Sequence, residues 1–452
     1  MSKAKFLEGS TMRHVIVMSS TAAAGLMTLF LVDLLDIYFL SMLDTVEIIS
    51  AVGYASSILF VTTSVGIGMA ISMGALVAKN IGAGKQQAAR EYATSTLFVV
   101  FTFSSFLALL IFIFGESLLV LLGAQGQSLS YALEYLNILI PSIPFLGAGI
   151  ACGGALRGVG DARGSMNSTL YGAILNAVLD PIFILYLKWG ISGAAWATFA
   201  ARITIFLVAF LPLLNRHKIF ERYSNELLKR CMPAILGIAI PATLTNVSTP
   251  IANAFVTAAM AQYGDIAVAG FSIIGRLTPV AFGVVFAVSG AVGPIIGQNY
   301  GAGLWPRVRQ TFKDGVKFVL FYSLVIWSLL ILLQDAIAET FQMQGLAFDV
   351  LVVFCLFMPP AYIFAGITFV GNAAFNNLGK PVYSLIVNMT KATLGTVPFI
   401  YAGAYFAGAP GILMGQAAGY VVFGIISWIG FFWLLKGFNI KASSSEPLDQ
   451  PS

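Results

Sequence analysis

The chain has 452 residues, 58% of them hydrophobic and only 10% charged, with 36 Phe and a mean hydropathy of +0.90. Soluble domains carry about 25% charged residues, so the composition excludes a water-soluble domain and gives an integral membrane protein. The net charge of +5 would suit nucleic acid in a soluble chain, but its placement along this one sets topology.

A spanning helix needs about 20 apolar residues. Taken in chain order, twelve such segments are predicted, at 14–43, 50–78, 92–115, 129–150, 164–187, 191–214, 231–262, 266–297, 312–334, 346–370, 381–406 and 410–435. Their apolar runs are continuous, which indicates helices and not the alternating strands of a barrel. Span 1 follows basic residues, as a signal peptide would, but its apolar run extends to about Leu43, well beyond an h-region of about 7–15 residues. It is read as an uncleaved first span. Of the 24 Lys and Arg, only Lys188 falls on the side opposite the N-terminus, and Arg202, Arg276 and Lys391 fall within spans. The rest share the N-terminal side, including Arg216, Lys218, Arg222, Lys229 and Arg230 in the mid-chain loop. Asp44, Glu47, Glu116, Asp265, Asp335 and Glu339 occupy the other side. Basic loops face the cytoplasm, so both termini are expected there, in a multi-pass protein of the cytoplasmic membrane. Cys152, Cys231 and Cys355 lie in or beside apolar runs and imply no disulfide framework.

The chain repeats itself. "NIGAGK" at 80–85 recurs as "NYGAGL" at 299–304, and "LRGVGD" at 156–161 answers "FNNLGK" at 375–380. "ISGAAW" at 191–196 matches "APGILM" at 409–414, and "AVGYA" at 51–55 matches "VAGFS" at 268–272. All four offsets fall between 217 and 219 residues, and the motifs keep their order. The expected architecture is therefore all-α, with twelve transmembrane helices in two pseudo-symmetric six-helix bundles around a central cleft. Residues 1–218 form the N-terminal lobe, 219–230 a basic linker, 231–440 the C-terminal lobe and 441–452 a polar, disordered tail. Six is even, so the halves are parallel repeats, an arrangement suited to alternating access. Gly82, Gly84, Gly301 and Gly303 are read as left-handed residues ending helices.

Catalytic equipment is missing. His14 and His217 both sit at the cytoplasmic edge, and no metal spacing, Ser-His-Asp set or phosphate loop appears. No enzyme, metal or cofactor is expected. What remains is ionisable residues at membrane depth: Asp33, Asp36, Asp180, Arg202, Arg276 and Lys391. Such residues mark ion or substrate paths, because a charge at the bilayer centre costs at least about 2.5–3.5 kcal/mol. Asp33 and Asp36 share a face of span 1. Asp180 lies in span 5, with Asn176 one turn earlier and Pro181 after it, where the missing N–H frees a carbonyl. At the repeat offset Asp36 maps to Asn253, Asp33 to Pro250, and Asp180 to Val397 or Pro398. The acids belong to the first half alone, so Asp36, Asp180 and Asn176 are predicted to carry the coupling ion. Asp33, Tyr135, Thr198, Asn253 and Arg276 are candidates for lining the substrate cavity.

"LLDIYFLSML" in span 1, "LRGVGDAR" after span 4, "NAVLDPIF" in span 5 and the two Gly turns "ALVAKNIGAG" and "GPIIGQNYGAG" together resemble the multidrug and toxic compound extrusion (MATE) transporters. The similarity covers essentially the whole chain. Acids confined to the N-terminal half resemble the DinF branch, whose span-1 and span-5 aspartates correspond to Asp36 and Asp180, with Asn176, Tyr135 and Thr198 as their polar surroundings. The resemblance implies a secondary transporter that exports amphipathic, cationic drugs or dyes by H+ antiport and contributes to antibiotic resistance. It acts as a monomer among membrane lipids and has no nucleic-acid partner. Relatives regarded as Na+-coupled carry acids in the second half, where spans 7 and 8 have none at depth here; Na+ coupling stays as an alternative. So does a lipid-linked or polysaccharide flippase, which calls for many cationic side chains in the cavity. Some relatives also bend span 1 at a Pro. Span 1 has none here, leaving Gly25 or altered packing as the source of any bend.

Overall fold

A computed structural model of the chain describes residues 4–43 and 46–444. Asp44, assigned above to an outer loop, and residues 445–452 of the expected tail lie outside the described residues. The described residues are helical almost throughout. In order they form α1 (Thr11–Ser41), α2 (Val46–Gly82), α3 (Gln86–Leu121), α4 (Gly126–Leu139), α5 (Ile143–Gly158), α6 (Ala162–Asp180), α7 (Gly190–Asn215), α8 (Asn225–Ala261), α9 (Asp265–Gly301), α10 (Trp305–Thr340), α11 (Leu346–Asn377), α12 (Pro381–Ala392) and α13 (Val397–Ser444). A 3-10 turn, Ile140–Ser142, joins α4 to α5 within one crossing, and a π-helical turn, Pro181–Tyr186, extends α6.

Eleven of these segments are long and apolar enough to cross a membrane, and the last of them, Pro381–Phe438, holds 58 residues. That one contains two crossings. Its helix breaks at 393–396 and again at Ala407 and Gly408, whose φ of +63° needs a glycine. The chain then folds back on itself with backbones in contact: a Cβ on Gly403 would stand 2.0 Å from the Gly411 carbonyl oxygen, one on Gly415 2.0 Å from that of Phe399, and one on Gly419 2.1 Å from that of Gly395. The glycines thus let two antiparallel helices touch, as small residues do at membrane interfaces. Twelve crossings result, and the helices overrun most of the predicted spans by several residues. α8 begins at Asn225, within the predicted linker, with the Ser224 hydroxyl accepting from the Leu227 N–H as its cap. α13 likewise runs on to Ser444, into the segment expected as tail.

Close approaches between the halves concentrate toward the end of the molecule that carries the basic loops. A Cβ on Gly82 would lie 2.0 Å from the Gln298 carbonyl oxygen, and one on Gly301 1.9 Å from that of Lys79. These two glycines occupy equivalent positions in the repeat, and they close α2 against α9. Their expected role as left-handed helix ends is therefore corrected: both are helical, and the positive φ belongs to Gly84 (+72°) and Gly303 (+71°). The N-terminal segment stitches the same end. Phe6 is buried; its N–H donates to Gln298 Oε1 at 3.1 Å, and its carbonyl accepts from Asn299 Nδ2 at 3.1 Å and Arg307 Nη2 at 2.8 Å. Lys5 Nζ reaches back to the Gly160 carbonyl at 3.2 Å, in the first half. Farther from this end, Gly68 abuts Thr243 of α8, and Gly283 of α9 abuts Met27 and Phe30 of α1. α1 is continuous, without a break at Gly25, which packs against Thr169 of α6.

Candidate functional site

Two helices of the first half set the acid site. Asp161 starts α6 by accepting from the Gly164 N–H at 2.9 Å, and α6 then carries Asn176 and Asp180 on one face, four residues apart. α1 packs against α6 and brings Asp36 alongside. Asn176 Nδ2 donates to both carboxyls, at 2.7 Å to Asp180 Oδ2 and 3.2 Å to Asp36 Oδ1. The carboxyls also come within hydrogen-bonding reach of each other, a contact that needs a proton on one of them. Asp180 is fully buried, and its Oδ1 receives no hydrogen bond from a donor. Such an oxygen is costly unless a proton or a cation meets it. The π-helical turn begins at Pro181, directly after this residue; π-turns interrupt the regular ladder and recur at functional sites.

A second polar layer adjoins the acids. Tyr135 of α4 is buried, hydrogen-bonds with Thr198 of α7, and lies close enough to Asp36, Asp180 and Arg202 to feel their charges. Arg202 Nη1 donates to Ser142 Oγ at 3.0 Å. Ser142 sits in the 3-10 turn and carried no signal in the sequence. Asp36, Asn176, Asp180, Tyr135 and Thr198 thus gather in one place. The other cavity candidates do not join them. Asp33 is exposed one turn from Asp36 and hydrogen-bonds to none of these residues. Asn253 and Arg276 are exposed, and Arg276 makes no hydrogen bond or ion pair with a described residue. Among the described residues, neither Asp36 nor Asp180 has a Lys or Arg as an ion-pair partner.

At the basic end, outside the membrane, Asp161 has a further role. Its carboxylate accepts from His217 at 2.9 Å and lies 3.6 Å from Arg216, tying the start of α6 to the mid-chain connection. The His217 hydrogen bond, followed by the Gly164 N–H, holds the Asp161 carboxyl down to about 2 against the opposing effect of burial.

In the second half, sequence reading missed a cluster around Lys391. Lys391 lies in the last turn of α12, its ammonium 5.4 Å from the Tyr420 ring centre and 5.9 Å from that of Phe369. Gln416 Nε2 donates to the Tyr420 hydroxyl at 3.2 Å. The repeat offset offered a signal, because at 218 residues Thr198 maps to Gln416 and Arg202 to Tyr420.

The repeated six-span halves, the closed basic end and a half-buried acid bridged by Asn176 to a buried one have the layout of a membrane transporter. Comparison with known proteins agrees. The family model described as MatE matches residues 22–182 and again 241–402, two copies at the offset read from the motifs, and the chain belongs to this family. The "FAD transporter" of Shewanella oneidensis is 29% identical over 408 residues, 89% of this chain and 90% of that one. "Multidrug export protein MepA" of Staphylococcus haemolyticus is 25% identical over 72% of this chain and 71% of its own length. A solved structure described as the outward-facing conformation of a multidrug resistance MATE family transporter of the MOP superfamily superposes with a TM-score of 0.90 at 23% identity, covering 97% of this chain and 99% of that one.

Proposed function

We propose that this protein is a proton-coupled antiporter that exports amphipathic organic compounds, working as a monomer in the cytoplasmic membrane with both termini inside. The observation that carries the reading is the Asp36–Asn176–Asp180 bridge, with its orphan Asp180 oxygen. In the ionised state the pair presents negative charge to a cation in the cleft. Protons entering from the acidic end neutralise it, let the two carboxyls bond to each other, and weaken the hold on a cationic drug. Rocking of the halves, which parts the Gly82 and Gly301 crossings, then exposes the acids to the cytoplasm, where the protons leave. The inward drive is about 2.3 kcal/mol per charge per 100 mV, plus any pH gradient. The acids stand in the first half, which matches the DinF-like branch, and no carboxylate stands at the equivalent depth of the second half to hold Na+.

The Staphylococcus relative supports multidrug substrates, and the basic loops support the orientation. A second reading is favoured by the Shewanella relative, which the chain matches over most of both lengths: the exported compound is an aromatic anion such as a flavin nucleotide. Proteoliposomes loaded with ethidium or flavin, given an imposed pH or Na+ gradient, test both readings. Export driven by the pH gradient alone supports the proposal. Export driven only by Na+ overturns the coupling ion.

A further inference from the structure

We propose that the aromatic cage around Lys391 is a second ligand site, one that binds the anionic group of an aromatic compound while its ring system packs on the cage wall. Lys391 lies ten residues beyond Pro381, where α12 enters from the basic end. At a rise of about 1.5 Å per residue it stands about 15 Å along the helix, near the middle of a hydrocarbon core about 30 Å thick. A cation there is costly. No carboxylate pairs with it among the described residues, and what meets it is two ring faces. Those rings come from separate helices, Phe369 from α11 and Tyr420 from α13, so the ammonium points into the bundle and away from lipid. Even so, Lys391, Phe369 and Tyr420 all stay partly accessible, so the cage has an open side.

Behind the rim the aromatic wall continues. Tyr420 meets Tyr362 edge-on at 5.6 Å, Tyr362 stacks on Phe282 at 3.8 Å, and Phe286 packs against Phe369 at 5.6 Å. Phe282 and Tyr362 are buried and form the floor; Phe286 is partly accessible. One turn before Phe286, Gly283 abuts Met27 and Phe30 of α1, so the rim reaches the seam between the halves. The chain places a fixed cation, ring faces and the amide of Gln416 together beside the seam between the halves. Cation–π contacts hold the ammonium yet leave its charge uncancelled. A phosphate, sulfonate or carboxylate cancels it, and a planar ring carried by the same molecule finds Tyr420 and Phe286 to pack on. The acids of the first half do not compete for Lys391, because they belong to the opposite lobe.

The assignment rests on the transport reading only in taking the cleft as the route of access, and its test needs no gradient. Flavin mononucleotide and riboflavin carry the same ring system and differ in a phosphate. Binding of each to the full-length protein in detergent is followed by flavin fluorescence anisotropy. Flavin mononucleotide should bind about tenfold or more tightly than riboflavin. Lys391→Met should abolish that preference while riboflavin affinity stays unchanged, which also reports that the variant is folded, and Lys391→Arg should retain it. Equal binding of the two flavins, binding of neither, or a preference that survives in Lys391→Met overturns the assignment. A failure of proton coupling would leave these affinities untouched and appear only as lost pH-driven export.

Discussion

At the depth where the first half holds Asp36 and Asp180, the second half holds Asn253 and the Val397–Pro398 turn; where the first half holds Arg202, the second holds Tyr420 beside Lys391. One six-span plan is therefore used twice with different ionisable side chains. The shared parts are backbone devices: the crossing glycines Gly82 and Gly301, the left-handed Gly84 and Gly303, and small-residue faces such as Gly154 of α5 against Ala70 of α2. What differs is the ionisable side chains at membrane depth. The two halves keep the close helix contacts and differ in the charged side chains held at membrane depth.

Several substitutions would break or sharpen that comparison. The largest effect is expected at the crossing: Gly301→Leu puts a side chain where even a Cβ stands 1.9 Å from the Lys79 carbonyl oxygen. It should destabilise the protein by about 3 kcal/mol or more, seen as a large fall in melting temperature, and Gly82→Leu should match it. A mild effect at either position would contradict symmetric closure. Asn176→Leu removes the amide that donates to both acids and should cost about 1–3 kcal/mol of stability together with pH-driven export. Unchanged export would show that the bridge is packing alone.

The acid limit of stability tests the basic end. Asp161 is depressed in the folded state, so its contribution is present above the ordinary carboxylate value of about 3.9 and is lost as pH falls through about 2. His217→Gln removes the leading cause and should move the onset of acid unfolding upward within that window; an identical acid profile would show that the pair does not support the fold. The smallest effect is expected for Thr198→Val, which loses the Tyr135 hydrogen bond and should lower melting by an amount worth about 1 kcal/mol or less. Thr198 maps to Gln416, and Gln416→Leu should be comparably mild if the second layers of the two halves are equivalent.

Much of this was legible from residues. Continuous apolar runs gave the spans, and four short motifs at one offset gave the repeat, which the double match of the family model reproduces. Asp36, Asn176 and Asp180 could be paired in advance because helical spacing places the last two on one face and membrane depth singles out the acids. Other features depend on which helices meet, and a one-dimensional pattern does not carry that. The Gly82 and Gly301 crossing looks like a pair of turn signals in sequence, Ser142 gains its role only when α7 brings Arg202 beside it, and Arg276 looked like a cavity residue from depth and Asn253 from the repeat offset. Lys391 was visible as an unusual charge, but its cage draws rings from α11 and α13, far apart in the chain.

The central claim is that the acids of the first half carry the transported proton. Drug-driven proton flux in vesicles containing Asp36→Asn tests it most directly. The substitution keeps the side chain's size and a hydrogen-bonding group beside Asn176, so the fold should persist. The account predicts that flux is abolished while the protein stays folded; full flux in that variant would contradict it.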